Sequence, residues 1–482
     1  MPFILLGYLL ILLGIAYQSA RNSDNQSYFI GNKNSHWMLV AFGMIGTSLS
    51  GMTFISVPGT VGSNGFNYAW VVLGYGMGYW VIAYLLLPLY YRLGLTSIYS
   101  YLNHRFGSTA HQTGSWIFII SRTLGATLRL YLVIHVLELY VLRAWGLSFH
   151  TTALIILALI VLYTFKGGVK TIVWTDTLQT TFMLVSLVVC LHYVLTELKL
   201  DVWYAWNELE LKGLTQWNGT DWKQSGYWLK QLVGGFFITI AMTGLDQEMM
   251  QKNISVKTLK NAQKNMLSFS LVLILVNFLF LFLGGVLQLY KQGLQLPVSG
   301  DRLFPDIAFS TQLPWIMSLF FMIGLVSALF PSADGALTAV TASYCVDVLN
   351  MENRQDLNLM QKTQIRKKIH LIMALVFLIC VFVFKELDQG SLIQLLLKIA
   401  ALTYGPLLGL FAFGIFTQHE VSKTGIVVSC LFAPALSYII QYACNQFYQY
   451  QFGPELLLLN GLIAFSGLWL FKTYPKNASL KH

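Results

Sequence analysis

The residues best able to do chemistry in this sequence are polar ones set in apolar surroundings. Arg122, Arg129, Asp176, Asp246, Asp334 and Lys398 stand inside or at the ends of long apolar runs. An ionised group there costs a few kcal/mol or more and normally faces a protein-lined or water-filled interior. Asp334 belongs to FPSADGALT, residues 330–338, which sets a proline, a carboxylate and two hydroxyls inside the run that begins LPWIMSLFFMIGLVSAL. Oxygen donors of this kind suit a hard cation, and the carboxylate also suits a proton. Arg129 lies deep in its run and offers a planar fork of donors that matches a carboxylate. Arg122, two turns earlier, shares roughly the same helical face. The competing role is a helix-end charge reaching for the headgroups. It fits Asp246 well, fits Lys398 and Asp176 about as well as burial does, and fits Arg129 and Asp334 poorly.

Two runs are poorly built to remain uniform helices. GMIGTSLSGMTFISVPG combines Gly43, Gly46, Gly51, Pro58 and Gly59 with Thr47, Ser48, Ser50 and Thr53. Glycine costs a helix about 1 kcal/mol and proline about 3, and the hydroxyls offer the backbone other partners. GGFFITIAMTGLDQEMM places Thr239, Thr243 and Gly244 where a second break can fall. Broken helices at membrane depth are tolerated where the freed carbonyls and amides line a cavity, and there they become ion and substrate ligands. The two runs are five spans apart and so of opposite orientation, which predicts two inverted five-helix repeats, each opened by a discontinuous helix. Close helix packing through small residues is the competing explanation.

The elements that must position these groups are membrane spans. The chain of 482 residues is 56% apolar and 10% charged, against about a quarter charged in a soluble globule. Apolar length predicts about thirteen spans, near 3–20, 36–64, 67–91, 112–142, 149–165, 173–196, 229–250, 266–290, 313–349, 369–385, 391–416, 424–442 and 455–472. The expected fold is an all-α polytopic membrane protein, one transmembrane domain over 1–482. It comprises an extra helix and loop in 1–35, a first repeat in 36–196, a second in 229–416 and two extra helices in 424–472.

The opening MPFILLGYLLILLGIAYQSA lacks the basic start of a secretory signal, so it reads as a retained helix with the N-terminus outside. The alternate loops 21–35, 92–111, 166–172, 251–265, 350–368 and 417–423 and the tail are then cytoplasmic, and hold roughly 19 of the 30 Lys and Arg. The outer loop 197–228 carries Glu197, Asp201, Glu208, Glu210 and Asp221 instead. The net charge of +10 therefore reads as topology in a plasma (inner) membrane with a cytoplasmic C-terminus, and not as a nucleic-acid partner. Cys190, Cys345, Cys380, Cys430 and Cys444 sit in or beside apolar runs and read as small buried hydrophobes.

Motifs in order along nearly the whole chain resemble those of the sodium/solute symporter family. GTSLSGMTFISVPG is similar to its first core helix, LPLYYRLGLTSIYSYLNHRFG to the loop after the second, and FKGGVKTIVWTDTLQ to its glycine pair followed by Trp-Thr-Asp and Gln. LDQEMMQKNISVKTLKNAQK resembles the inner end of the sixth core helix, SALFPSADGALTAVTASYCVD the eighth, and YGPLLGLFAFGIF the tenth. The resemblance implies ten core helices, here with one span before and two after, and cation-coupled uptake by alternating access.

The resemblance also implies a sodium ion between the first and eighth core helices, held by the carbonyls of Gly46, Leu49 and Ala328 and the hydroxyl of Ser332. Pro331 departs from the pattern, because the family usually has a second hydroxyl there. A proline frees the carbonyl four residues back, that of Ser327, as a replacement oxygen. Asp176 and Asp334 match regions that hold a second cation in some members, so they are candidates for a shared sodium ion or proton. Separate hydrogen-bonded carboxylates are the plainer reading of the pair. The substrate is expected between the broken helices and the third and eighth core helices, near Arg129, Thr53, Phe237, Met242 and Thr243.

Arg129 argues for an anionic solute, a carboxylated sugar or organic acid. A structural guanidinium paired with carbonyls or Glu138 is the competing reading, and Met242 replaces the aromatic gate of some sugar carriers. The alternative function is a proton-coupled or sodium-independent carrier of a neutral sugar or amino acid. A channel would need a ring-like selectivity motif, an enzyme a cluster such as HExxH or GxSxG, and a sensor a signalling domain; the sequence shows none of them. The expected partners are a small solute and the lipid bilayer, with the chain a monomer or weak oligomer and sodium as coupling ion.

Overall fold

The computed structural model describes residues 7, 8, 10–15, 18, 35–217, 219–294, 297–351, 353–387 and 392–473. Half of the first expected span, nearly all of loop 21–35 and the tail beyond 473 lie outside them. The core begins with α1 (Trp37–Ser48) and α2 (Gly51–Asn64), followed by α3 (Ala69–Arg92), a short α4 (Ser100–Phe106), α5 (Ser108–Trp145) and α6 (Phe149–Leu198). After α7 (Val202–Leu211) come α8 (Trp228–Gly244), α9 (Gln247–Ile254), α10 (Leu259–Leu294), the short α11 (Leu303–Ala308) and α12 (Trp315–Val348). The chain closes with α13 (Leu359–Glu386), α14 (Leu392–Phe416), α15 (Lys423–Tyr448) and α16 (Leu456–Leu470).

Among the described residues, 8 helices are long and apolar enough to cross a membrane, or 10 if each of two bent pairs is one span, with Phe149–Phe165 and Leu456–Leu470 as shorter apolar helices. The expected loop 166–172 falls within α6, where it separates the apolar stretches Phe149–Phe165 and Thr171–Leu198. A brief polar run lowers hydropathy without forcing the backbone out of its hydrogen-bond pattern. The expected outer loop 197–228 contains α7, started by the Asp201 carboxylate accepting from the Tyr204 amide at 2.8 Å.

Both expected breaks are present. α1 and α2 meet at 56° and α8 and α9 at 63°. The first break falls at Leu49 and Ser50, the latter extended at φ −73°, ψ 170°; Pro58 sits within α2 without interrupting it. The second follows a π-helical turn, Ile240–Gly244, and restarts at Asp246, whose carboxylate accepts from the Met249 amide at 3.2 Å. α12 is buried along nearly its whole length, whereas α13 and α15 expose Leu371, Leu375, Leu431 and Phe432. Lipid therefore meets the periphery, and the helix carrying FPSADGALT is enclosed. The five cysteines are free, with Cys190, Cys345 and Cys430 buried.

Candidate functional site

The two breaks differ in how their freed carbonyls are satisfied. At the second, the Tyr90 hydroxyl donates to the Gly244 carbonyl at 2.8 Å and Tyr99 to Leu245 at 2.9 Å. At the first, the Leu49 amide bonds the Ile45 carbonyl at 2.7 Å, but nothing among the described residues donates to the Leu49 carbonyl. Buried carbonyls are normally paired, so this oxygen is available to a ligand. Gly46, one turn earlier, faces α12 and α6: a β-carbon there would lie 3.5 Å from Pro331 Cγ and overlap Thr180 Oγ1, itself buried without a partner. Ala328 and Ser332 are buried on α12, and the Ser332 hydroxyl donates to the Leu329 carbonyl at 2.9 Å, which leaves its lone pairs open. Pro331 thus stands against Gly46. The hydroxyl of Ser327 exchanges a hydrogen bond with Tyr8 from the N-terminal segment at 2.7 Å.

Beside this contact is a cavity of about 100 Å³ whose lining includes Ser50, Thr53, Tyr68, Tyr75, Arg129, Met242 and Thr243. Phe237 is not in the lining; it packs edge-on against Phe236 at 4.9 Å, and Ile238 takes the wall position. One residue turns a helical side chain by 100°, and Ile238 and Thr239, not Phe237, share a face with Met242. Arg129 is 9% exposed, its Nε has no partner, and no carboxylate among the described residues pairs with it. Glu138 is bound elsewhere, to Arg143 Nε at 3.0 Å.

Asp176 and Asp334 have different hydrogen-bond partners. Asp334 accepts from the Tyr163 hydroxyl at 2.5 Å and from the Gly335 amide. Asp176 Oδ2 is 2.7 Å from Lys252 Nζ, which also donates to Thr47 Oγ1 at 2.6 Å. Lys252 continues to Glu248 Oε1 at 3.6 Å, Glu248 pairs with Arg122, and Arg122 lies 3.8 Å from Asp246. Asp246 is fully buried and accepts from the Tyr404 hydroxyl at 2.8 Å, so it is no headgroup-seeking helix end. Gly335 makes the room, since a β-carbon there would overlap the Glu248 carboxylate. Lys398, by contrast, is exposed, its ammonium 5.7 Å from the Tyr438 ring centre.

Sequence reasoning passed over Glu248, Lys252, Tyr163 and Tyr404. The Glu248–Lys252 spacing of four was the available signal, but at the edge of an apolar run it looks like a solvated helix face.

Two hinged helices, an unpartnered carbonyl at one hinge and a polar cavity beside it define a membrane carrier for a small solute. The sodium:solute symporter family model matches residues 28–432, and this chain belongs to that family. It is a sodium-coupled solute symporter and not an enzyme. It is 21% identical over 460 residues to the sodium/sialic acid symporter SiaT of Proteus mirabilis, covering 90% of this chain and 89% of that one. To the sodium-coupled monocarboxylate transporter 2 of Bos taurus it is 25% identical, covering 87% and 69%. The fold matches the solved substrate-bound, outward-open state of a Na+-coupled sialic acid symporter at a TM-score of 0.82, with 17% identity and coverage of 97% and 96%. It also matches Mhp1, a nucleobase-cation-symport-1 family transporter in a closed conformation, at 0.62 with 14% identity and 93% coverage of each chain.

Proposed function

We propose that the protein takes up a small organic anion together with sodium by alternating access. The observation that carries this reading is Arg129, a buried guanidinium without a carboxylate partner among the described residues, at the wall of the cavity between the breaks. A buried unpaired charge is costly, and a carboxylate on the solute would satisfy it with two parallel hydrogen bonds. Tyr68, Tyr75, Thr53 and Thr243 supply further polar groups around it. The relatives transport sialic acid and monocarboxylates, both carboxylate-bearing. A cavity of about 100 Å³ suits a small organic acid as it stands, and a carboxylated sugar requires the walls to part. Sodium would be held by the Gly46, Leu49 and Ala328 carbonyls and the Ser332 hydroxyl, with the freed Ser327 carbonyl in place of the hydroxyl lost at Pro331.

In this reading 36–196 and 229–416 are inverted repeats, the N-terminus is outside an inner membrane and the C-terminus is cytoplasmic, and the unit is a monomer or weak oligomer. Spaces of 590 and 430 Å³ flank the Asn64 end of α2. The space between Thr96, Gln247, Gln251 and Asp347 at the α9 end has none for water. With the basic loops inside, that is an outward-facing carrier closed toward the cytoplasm. A second reading, proton coupling, draws support from Asp334, which has hydrogen bonds but no ion pair.

The deciding experiment is uptake into proteoliposomes under sodium or proton gradients, across carboxylates, neutral sugars and amino acids. Sodium-driven accumulation of a carboxylate, reduced at least a hundredfold by Arg129→Ala, is expected, in keeping with about 3 kcal/mol for a charge-assisted hydrogen bond. Accumulation of neutral sugars alone would sink the anion assignment, and accumulation driven by protons without sodium would favour the second reading.

A further inference from the structure

We propose that Asp176 and Thr47 form a cation subsite that this protein fills with its own Lys252, the tethered ammonium taking the place of a second coupling ion. The proposal rests on the reading of the first break as a sodium site. Lys252 begins on α9, beyond the second break, and reaches to α6 and to the last turn of α1, before the first. Its ammonium meets one oxygen of Asp176 at 2.7 Å, the Thr47 hydroxyl at 2.6 Å and Glu248 Oε1 at 3.6 Å. These are the oxygen donors a hard monovalent cation would use, and Asp176, Thr47 and Lys252 are almost completely buried.

The remaining groups point the same way. Asp176 Oδ1 and Thr180 Oγ1, one turn apart on α6, are buried without partners among the described residues, and Asp176 Cβ and Thr180 Oγ1 lie against Gly43 and Gly46 of α1. Were the ammonium withdrawn, Asp176 Oδ2, the Thr47 hydroxyl and Glu248 Oε1 would be left around its place, with Asp176 Oδ1 and Thr180 Oγ1 on the adjoining turns of α6, oxygen donors of the kind sodium takes. With it in place, a fixed positive charge stands one residue from Gly46 and bars a second ion from that space by repulsion. The same side chain bridges both broken helices, so the charge balance at one hinge depends on the position of the other.

Equilibrium binding of radiolabelled sodium to the purified full chain tests this. One ion per chain is expected for the native protein and for Lys252→Arg, two for Lys252→Met, and one again for Lys252→Met combined with Asp176→Asn. Two ions in the native protein, or no gain in a folded Lys252→Met, would overturn the proposal. If Lys252→Met does not fold, Ser332→Ala serves: its one sodium per chain should bind roughly fivefold to tenfold more weakly. Binding whose affinity Ser332→Ala leaves unchanged and which Asp176→Asn removes would mean that Asp176 holds an ion in the native protein, which also overturns the proposal. A native chain that binds no sodium while Lys252→Met binds one would refute the first-break site and leave the Lys252 assignment standing; no binding in either refutes both.

Discussion

Glu248 joins two cations, Arg122 and Lys252, inside a helical core where water cannot replace it. The cluster contains those two cations and the carboxylates of Asp176, Asp246 and Glu248, so two positive charges oppose three negative ones. Breaking a buried pair by removing one partner typically costs about 3–5 kcal/mol, because the other charge is left without compensation. Glu248→Gln should therefore lower the melting temperature markedly in detergent, and a change within two degrees would show that Arg122 finds other partners. Ser332 acts on a smaller scale. Losing one neutral oxygen costs about 1 kcal/mol, so Ser332→Ala should raise the sodium concentration for half-maximal uptake by roughly fivefold to tenfold. Pro331→Ser should leave that concentration unchanged, because the serine hydroxyl arrives as the Ser327 carbonyl returns to the helical hydrogen-bond pattern; a lower concentration would indicate that the freed carbonyl does not fill the place.

At the scale of elements, α3 and α8 cross with their backbones in contact. A β-carbon at Gly235 would overlap the Val71 carbonyl, and one at Gly74 the Leu232 carbonyl. Neither obstacle is a flexible side chain, so Gly235→Ala must push the helices apart and should reduce both stability and transport, read as melting temperature and initial uptake rate. Gly125→Ala on α5, where the nearest atom is Leu396 Cδ1 at 3.9 Å, is the control expected to behave as wild type.

This level was the most legible in the sequence. Glycines and hydroxyls in GMIGTSLSG and AMTGLD marked both hinges because breaking a helix is a local matter of propensity. Register was harder: Phe237 and Ile238 differ by one position, and only the packed structure says which faces the cavity. The Lys252–Asp176 pair was out of reach for a different reason. It joins residues 76 apart in sequence, and nothing local to LDQEMMQK says that its lysine turns inward.

For the molecule as a whole, α12 is enclosed on all sides while α13 and α15 face outward, so rearrangements that expose the cavity to either side must move helices around α12. Sodium should stabilise the conformation to which it binds, and binding raises stability by mass action, about 2.7 kcal/mol at a hundred times the dissociation constant. Melting in sodium should exceed melting in potassium at equal ionic strength, and equal values would count against ion binding in this conformation. The unpartnered Leu49 carbonyl gives that comparison a further meaning. Every helix leaves carbonyls at its last turn that something must cap; at the second hinge two tyrosines do so. Were sodium bound at the first hinge as proposed, the cap there would be the ion itself, and the end of α1 would be complete only while the carrier is loaded. Releasing sodium would then be an uncapping event, and the empty carrier would return with a helix terminus that water must finish.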